Sequence, residues 1–146
     1  MSISGIGYEG LALDAFISKL RIRGVQTLVD VRLNAISRKR GFSKRALSEG
    51  LAEAGITYVH LPVLGNQRDN RAGYGEIESD LAHDVRDRFR QELQSDVAVS
   101  ALEEVADLAR SGEVVLFCYE QDERHCHREQ VLDEVRSLMA RDLVKV

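Results

Sequence analysis

The feature that most constrains the fold of this chain is the alternation of short β-type runs with longer helical patterns, the mark of βαβ units and a mostly parallel sheet. "SISGIG" reads as a first strand, and "LALDAFISKLRIRG" as an amphipathic helix with Leu11, Phe16, Ile17 and Leu20 on one face before Gly24 ends it. "VQTLVDVR" is a second strand. "FSKRALSEGLAEAG" follows as a helix with Ser43 at its N-cap, Ala46, Leu47, Leu51 and Ala54 inward, and Gly55 as its stop. "ITYVHLP" is a third strand, closed by the only proline. After the polar loop "VLGNQRDNRAGYGE", residues from about 77 to 111 are helical in pattern with a break near Ser95 and Asp96. "EVVLFC" is a buried strand, and "CHREQVLDEVRSLMARDL" a final helix carrying Val131, Leu132, Val135, Leu138 and Met139 inward.

The expected architecture is a single α/β domain over residues 1–146, in three layers, with a mostly parallel sheet and helices on both faces. Parallel strands joined by crossovers place their carboxyl ends on one edge. Four polar segments then converge there: "GYEG", "DVRLN", "HLPVLGNQR" and "CYEQDERHCHR". A ligand crevice is expected at that edge.

Composition narrows the functional classes. A net charge of −4 argues against a protein coated in positive charge, so a nucleic-acid role would have to rest on a local patch. The start "MSISGIGYEG" lacks a basic n-region and a long apolar stretch, and nowhere does the sequence approach the roughly 18 apolar residues of a membrane span. A soluble cytoplasmic protein with no membrane partner is expected. Its two cysteines are read as free thiols.

Each wall of the crevice carries candidates. Glu9 of "GYEG" is a general acid/base or a hydrogen-bond acceptor, beside a helix N-terminus that favours anions. Asp30 and Arg32 of "VDVR" are either structural ties between loops or, for Arg32, an oxyanion clamp whose planar fork matches phosphate. "SRKRGFSKRAL" sets Arg38, Lys39, Arg40, Lys44 and Arg45 around Phe42, a cluster able to meet a phosphate backbone, with Phe42 stacking on a base. His60 closes the third strand as a catalytic or a core histidine.

The fourth wall admits three readings. Asp122 is an expected N-cap of the final helix, which would put Cys126, His127 and Arg128 near its positive end. "CYEQDER" has the Cys-x5-Arg spacing of phosphatase and sulfurtransferase loops, and "VDVR" resembles the second strand of rhodanese-like domains, but Glu120, Asp122 and Glu123 would repel an anion. Cys118, Cys126, His125, His127 and His60 are zinc-competent donors, yet Cys-x7-Cys-His is not a recognised zinc spacing, and no metal is assigned. In the third reading, which the residue types favour, both thiols are near-core residues while Glu120, His127 and Arg128 form a polar network.

Taken together, "GIGYEG", "VDVR", "SRKRGFSK", "YVHLPVLG" and "CYEQDERHCHR" resemble, in order, the bacterial and archaeal family called domain of unknown function 488. The resemblance implies a small cytoplasmic α/β protein and marks Tyr8, Glu9, Asp30, Arg32, Arg38, Phe42, Lys44, His60, Gly65, Cys118, Glu120, Cys126, His127 and Arg128 as a polar signature. It supplies no reaction, and no cofactor follows from it. The leading expectation is an enzyme or enzyme-like protein acting on a phosphate-bearing ligand, a nucleotide or nucleic acid. Tyr8, Arg32, Arg38, Phe42, Lys44, His60 and Arg128 would contact it, Glu9 and Glu120 would be acid/base groups, and Asp30 and His127 would orient them. The alternatives are a non-enzymatic module binding nucleic acid or protein, and rhodanese-like or phosphatase-like thiol chemistry at Cys118.

Overall fold

The computed structural model describes residues 2–144. Four strands, β1 (Ser2–Gly7), β2 (Thr27–Asp30), β3 (Thr57–His60) and β4 (Glu113–Cys118), form one sheet. Every pairing is parallel, and the order is β1-β4-β2-β3. Strand β4 thus lies in the interior although it is last in sequence, which is why "EVVLFC" carries apolar residues without alternation. Register is set by which side chains each face takes. Val114, Leu116 and Cys118 enter one core, while Val115 and Phe117 enter the other.

The helices divide accordingly. α1 (Leu13–Ile22) and α2 (Lys44–Glu53) bury Phe16, Leu20, Leu47 and Leu51 in the core containing Phe117. α3 (Asp80–Glu92), α4 (Asp96–Ser111) and α5 (Arg128–Val144) contribute Phe89, Leu102, Val105, Val131 and Val135 to the core on the other face. The break between α3 and α4 falls where Ser95 starts a new helix by accepting the Ala98 N–H, as Ser79 starts α3 by accepting that of Ala82. Among the described residues, no helix is long and apolar enough to cross a membrane.

Three local expectations change. Ser43 occupies the N-cap position of α2, but its hydroxyl bonds the Ser37 backbone instead of the helix. Ala46 is exposed, because Leu47 and Leu51 take the inner face. Asp122 does not cap the final helix: its carboxylate accepts from the Arg124 N–H at 3.0 Å and starts a 3-10 turn, Glu123–His125, so α5 begins only at Arg128.

Candidate active site

The interior position of β4 makes the carboxyl edge of the sheet concave, since the loops after β1, β2, β3 and β4 rise around Cys118. A pocket of about 190 Å³ lies there. The first loop lends Tyr8, and the second Arg32, Leu33, Asn34 and Ile36. The third adds Asn66, Arg71 and Tyr74; β4 and its loop supply Cys118, Tyr119, Glu120, His125, Cys126 and His127.

The floor is aromatic. Tyr8 stacks on Phe42 at 4.5 Å and on Phe117 at 5.0 Å between ring centroids. Phe42 is 0% exposed, so it supports Tyr8 from below and offers no face to a base; its expected stacking role is corrected. The Arg32 guanidinium lies over the Phe117 ring at 4.8 Å.

Arg32 and Asp30 form a buried pair. The guanidinium donates from Nε and Nη2 to the Asp30 carboxylate, and from Nη1 to the Phe42 carbonyl at 2.6 Å. Tyr58 donates its hydroxyl to the same carboxylate at 2.6 Å. Burial and that bond push the Tyr58 hydroxyl well above its ordinary pKa. Asp30 is 0% exposed, so it ties loops together beneath the pocket, while Arg32 reaches the pocket wall with its charge already balanced.

The reactive groups gather at the end of β4. The Cys118 and Cys126 sulfurs and a His127 ring nitrogen lie within 4.8 Å of one another, and all three residues are buried. His127 Nε2 donates to the Val31 carbonyl at 2.8 Å, which leaves Nδ1 facing the thiols, 3.7 Å from Cys126 Sγ. The hydrogen bond from Cys126 holds the Cys118 thiol well below the ordinary thiol range against the opposing effect of burial, with His127 adding a second hydrogen bond and its charge. Burial alone would lower the His127 pKa, but the hydrogen bond and charge of Cys118 raise it. Cys126 is pushed well up by burial first and then by Cys118. The arrangement favours a thiolate on Cys118 beside a protonated His127 ring, and a proton on Cys126. The same three donors are those through which the pocket could take a soft metal ion.

Glu120 lines the pocket beside them. Burial, then the negative charge on Cys118, raises its pKa, so its carboxyl retains a proton to higher pH than a free glutamate. Its loop is tightly seated. Glu9 accepts the Gln121 N–H at 3.1 Å, and a side chain on Gly7 would put its Cβ 1.9 Å from the Glu120 carbonyl oxygen. Gly65 allows a like approach on the opposite rim, where a Cβ would come within 2.5 Å of the Leu33 backbone.

Several expected site residues stand apart from the pocket. Glu9 serves the loop rather than the cavity. His60 donates to the Arg32 carbonyl at 2.8 Å and is a structural tie. Arg38 and Lys44 are exposed on or next to the loop after β2, outside the lining. Arg128 is corrected from an anion contact to an internal clamp: at 0% exposure it donates to the Glu120 and Gln121 carbonyls. The Cys-x5-Arg loop does not close on a substrate either, because Arg124 turns away to pair with Asp122 at 2.9 Å, and the Gln121 N–H is already given to Glu9.

Sequence reasoning missed Asn66, Arg71 and Tyr74, whose segment has no periodicity to read. Three 3-10 turns (Pro62–Leu64, Arg68–Asn70, Ala72–Gly75) fold it over the pocket. Arg71 donates to the Asn66 carbonyl, Asn70 donates to the Asn66 side chain, and the His125 ring donates to the Tyr74 carbonyl at 3.0 Å. The signal that was available is the density of Asn, Arg and Gly in a loop too long for a plain connector.

The fold and site define a small parallel α/β protein with a paired-thiol pocket at the carboxyl edge of its sheet. The model of the family described as "Domain of unknown function DUF488" matches residues 12–135, and the chain belongs to that family. Neither the curated proteins nor the solved structures contain a match.

Proposed function

We propose that this chain is an enzyme in which the Cys118 thiolate attacks a small anionic substrate held in the pocket. One observation carries the reading: Cys118, at the end of β4, lines the pocket within 4.8 Å of a second thiol and of an imidazole whose far nitrogen is tied to Val31. His127 would take the thiol proton and, once charged, stabilise the thiolate. Glu120 would hand a proton to the leaving group, burial and the neighbouring Cys118 charge having raised its pKa. Arg71, exposed in the pocket lining, would hold the anionic end, while Arg32 stays paired with Asp30 in the wall. A phosphate-bearing ligand falls within this anionic class; the exposed Arg38 and Lys44 would then meet its outer charges. A reduced pair of thiols suits the cytoplasm.

The test is pulse alkylation with iodoacetamide across a pH series, followed by peptide mapping. Cys118 is expected to label before Cys126, and at about pH 6 to outpace a free thiol, whose pKa is about 8.5. His127→Ala should remove that advantage. Labelling of Cys118 no faster than free cysteine at every pH would defeat the proposal.

A further inference from the structure

We infer that the substrate is a low-molecular-weight disulfide and that Cys126 is the resolving thiol, so that the pocket carries out thiol–disulfide exchange. The inference rests on the thiolate reading above and adds the class of electrophile.

The surroundings of Cys118 select the class of electrophile. Attack on a carbonyl or phosphoryl centre builds charge on oxygen, and enzymes for such reactions aim backbone N–H groups at it. The loop that follows Cys118 is unsuited to that. The Gln121 N–H is bound by Glu9, the Glu120 and Gln121 carbonyls are held by Arg128, and the Arg124 guanidinium is turned to Asp122. Attack on a disulfide develops no oxyanion. It needs a thiolate, an open line of approach, and a leaving thiolate that can be protonated. Cys118 opens onto the pocket with the Cys126 sulfur and a His127 ring nitrogen within 4.8 Å, and Glu120 lines the same pocket.

A simple nucleophile has no use for another thiol at its side, whereas a mixed disulfide on Cys118 can be cleared by one. Cys126 follows the 3-10 turn in extended backbone, φ −139° and ψ 144°, outside α5, where its side chain is free of helical constraint. It is also the less accessible of the two, 3% against 8% exposed, which assigns first attack to Cys118.

The Cys118 thiolate attacks one sulfur of RS–SR, forming Cys118–S–SR and expelling RS⁻, which takes the Nδ1 proton of the His127 imidazolium and leaves the ring neutral. Cys126 then gives its proton to His127 and attacks the Cys118 sulfur, forming the Cys118–Cys126 bond and expelling the second RS⁻. The substrate disulfide gains two electrons and becomes two thiols, and the protein dithiol loses two. A dithiol reductant returns the protein to its starting state.

The experiment uses the full chain, reduced, treated with chelator and kept anaerobic, with glutathione disulfide as the probe. Released glutathione is titrated and the protein product is identified by intact mass and disulfide mapping. Two equivalents of glutathione and an internal Cys118–Cys126 bond are expected. Cys126→Ser should release one equivalent and retain one glutathionyl group on Cys118, and Cys118→Ser should release none. Wild-type protein that stops at the mixed disulfide, or that does not react although its Cys118 alkylates rapidly, overturns the inference and leaves the thiolate reading standing. Slow alkylation together with no reaction removes both. A melting temperature for Cys126→Ser within a few degrees of wild type separates a lost thiol from a lost fold.

Discussion

His127 Nε2 donates to the carbonyl oxygen of Val31 at 2.8 Å, joining the residue before α5 to the residue after β2. A carbonyl accepts only, so this bond fixes the proton on Nε2 and turns Nδ1 toward the thiols. His60 makes the same bond to the next carbonyl, that of Arg32, also at 2.8 Å. Two histidines thus hold successive carbonyls of one loop, but only His127 reaches the pocket.

That difference separates the two residues experimentally. His127→Gln is expected to move the Cys118 alkylation profile to higher pH, the thiolate having lost the hydrogen bond and charge of the imidazole. His60→Gln should leave the alkylation rate unchanged while lowering stability by about 1 kcal/mol, the value of a hydrogen bond. Alkylation kinetics and urea unfolding of both variants check this, and equal effects on alkylation would contradict it.

Asp30 belongs to the fold. Asp30→Ala leaves the buried Arg32 charge unbalanced and is expected to cost about 3–5 kcal/mol in denaturant unfolding. Tyr58→Phe, which removes a single bond to that carboxylate, should cost about 1.5–3 kcal/mol.

Glu120 should give stability a pH signature. Its folded pKa is raised, so its contribution is fully present below the unfolded value of about 4.3 and is lost as pH rises through the folded value. Glu120→Gln is therefore expected to be more stable than wild type near neutral pH, with the gap closing at acid pH. The Cys118 titration should also move to lower pH in this variant, because a neighbouring negative charge has gone. Melting temperatures across pH report the first effect and thiol alkylation the second.

Gly7→Ala tests the seating of the reactive loop. A Cβ there lies 1.9 Å from the Glu120 carbonyl oxygen, which Arg128 holds from the other side. The loop must shift, and a loss of about 1–3 kcal/mol is expected together with slower Cys118 alkylation. Unaltered alkylation would show that the seating of the loop does not govern the thiol.

How much of this was legible follows from where each signal resides. β4 could be read because its burial is nearly continuous, and the start of α4 because Ser95 is a local cap. Phe42 could not be read: amid Arg38, Lys39, Arg40 and Lys44 it looks exposed, and only the return of the loop over the sheet edge lays it against Tyr8. Arg128 failed through phase. With Asp122 spent on a 3-10 turn, α5 starts later than expected, and at 3.6 residues per turn that shift points Arg128 inward, under Glu120. The crevice at the carboxyl edge followed from topology, whereas Asn66, Arg71 and Tyr74 depended on a loop path that no pattern encodes.

The most direct measurement is the ultraviolet absorbance of thiolate through a pH titration of wild type, Cys118→Ser and Cys126→Ser. Wild type and Cys126→Ser are expected to retain a thiolate well below the ordinary range, the serine hydroxyl standing in for the Cys126 thiol as hydrogen-bond donor to Cys118. Cys118→Ser should show only a high-pH step. A single transition near the ordinary thiol value of about 8.5 in wild type would contradict the thiolate–imidazolium pair.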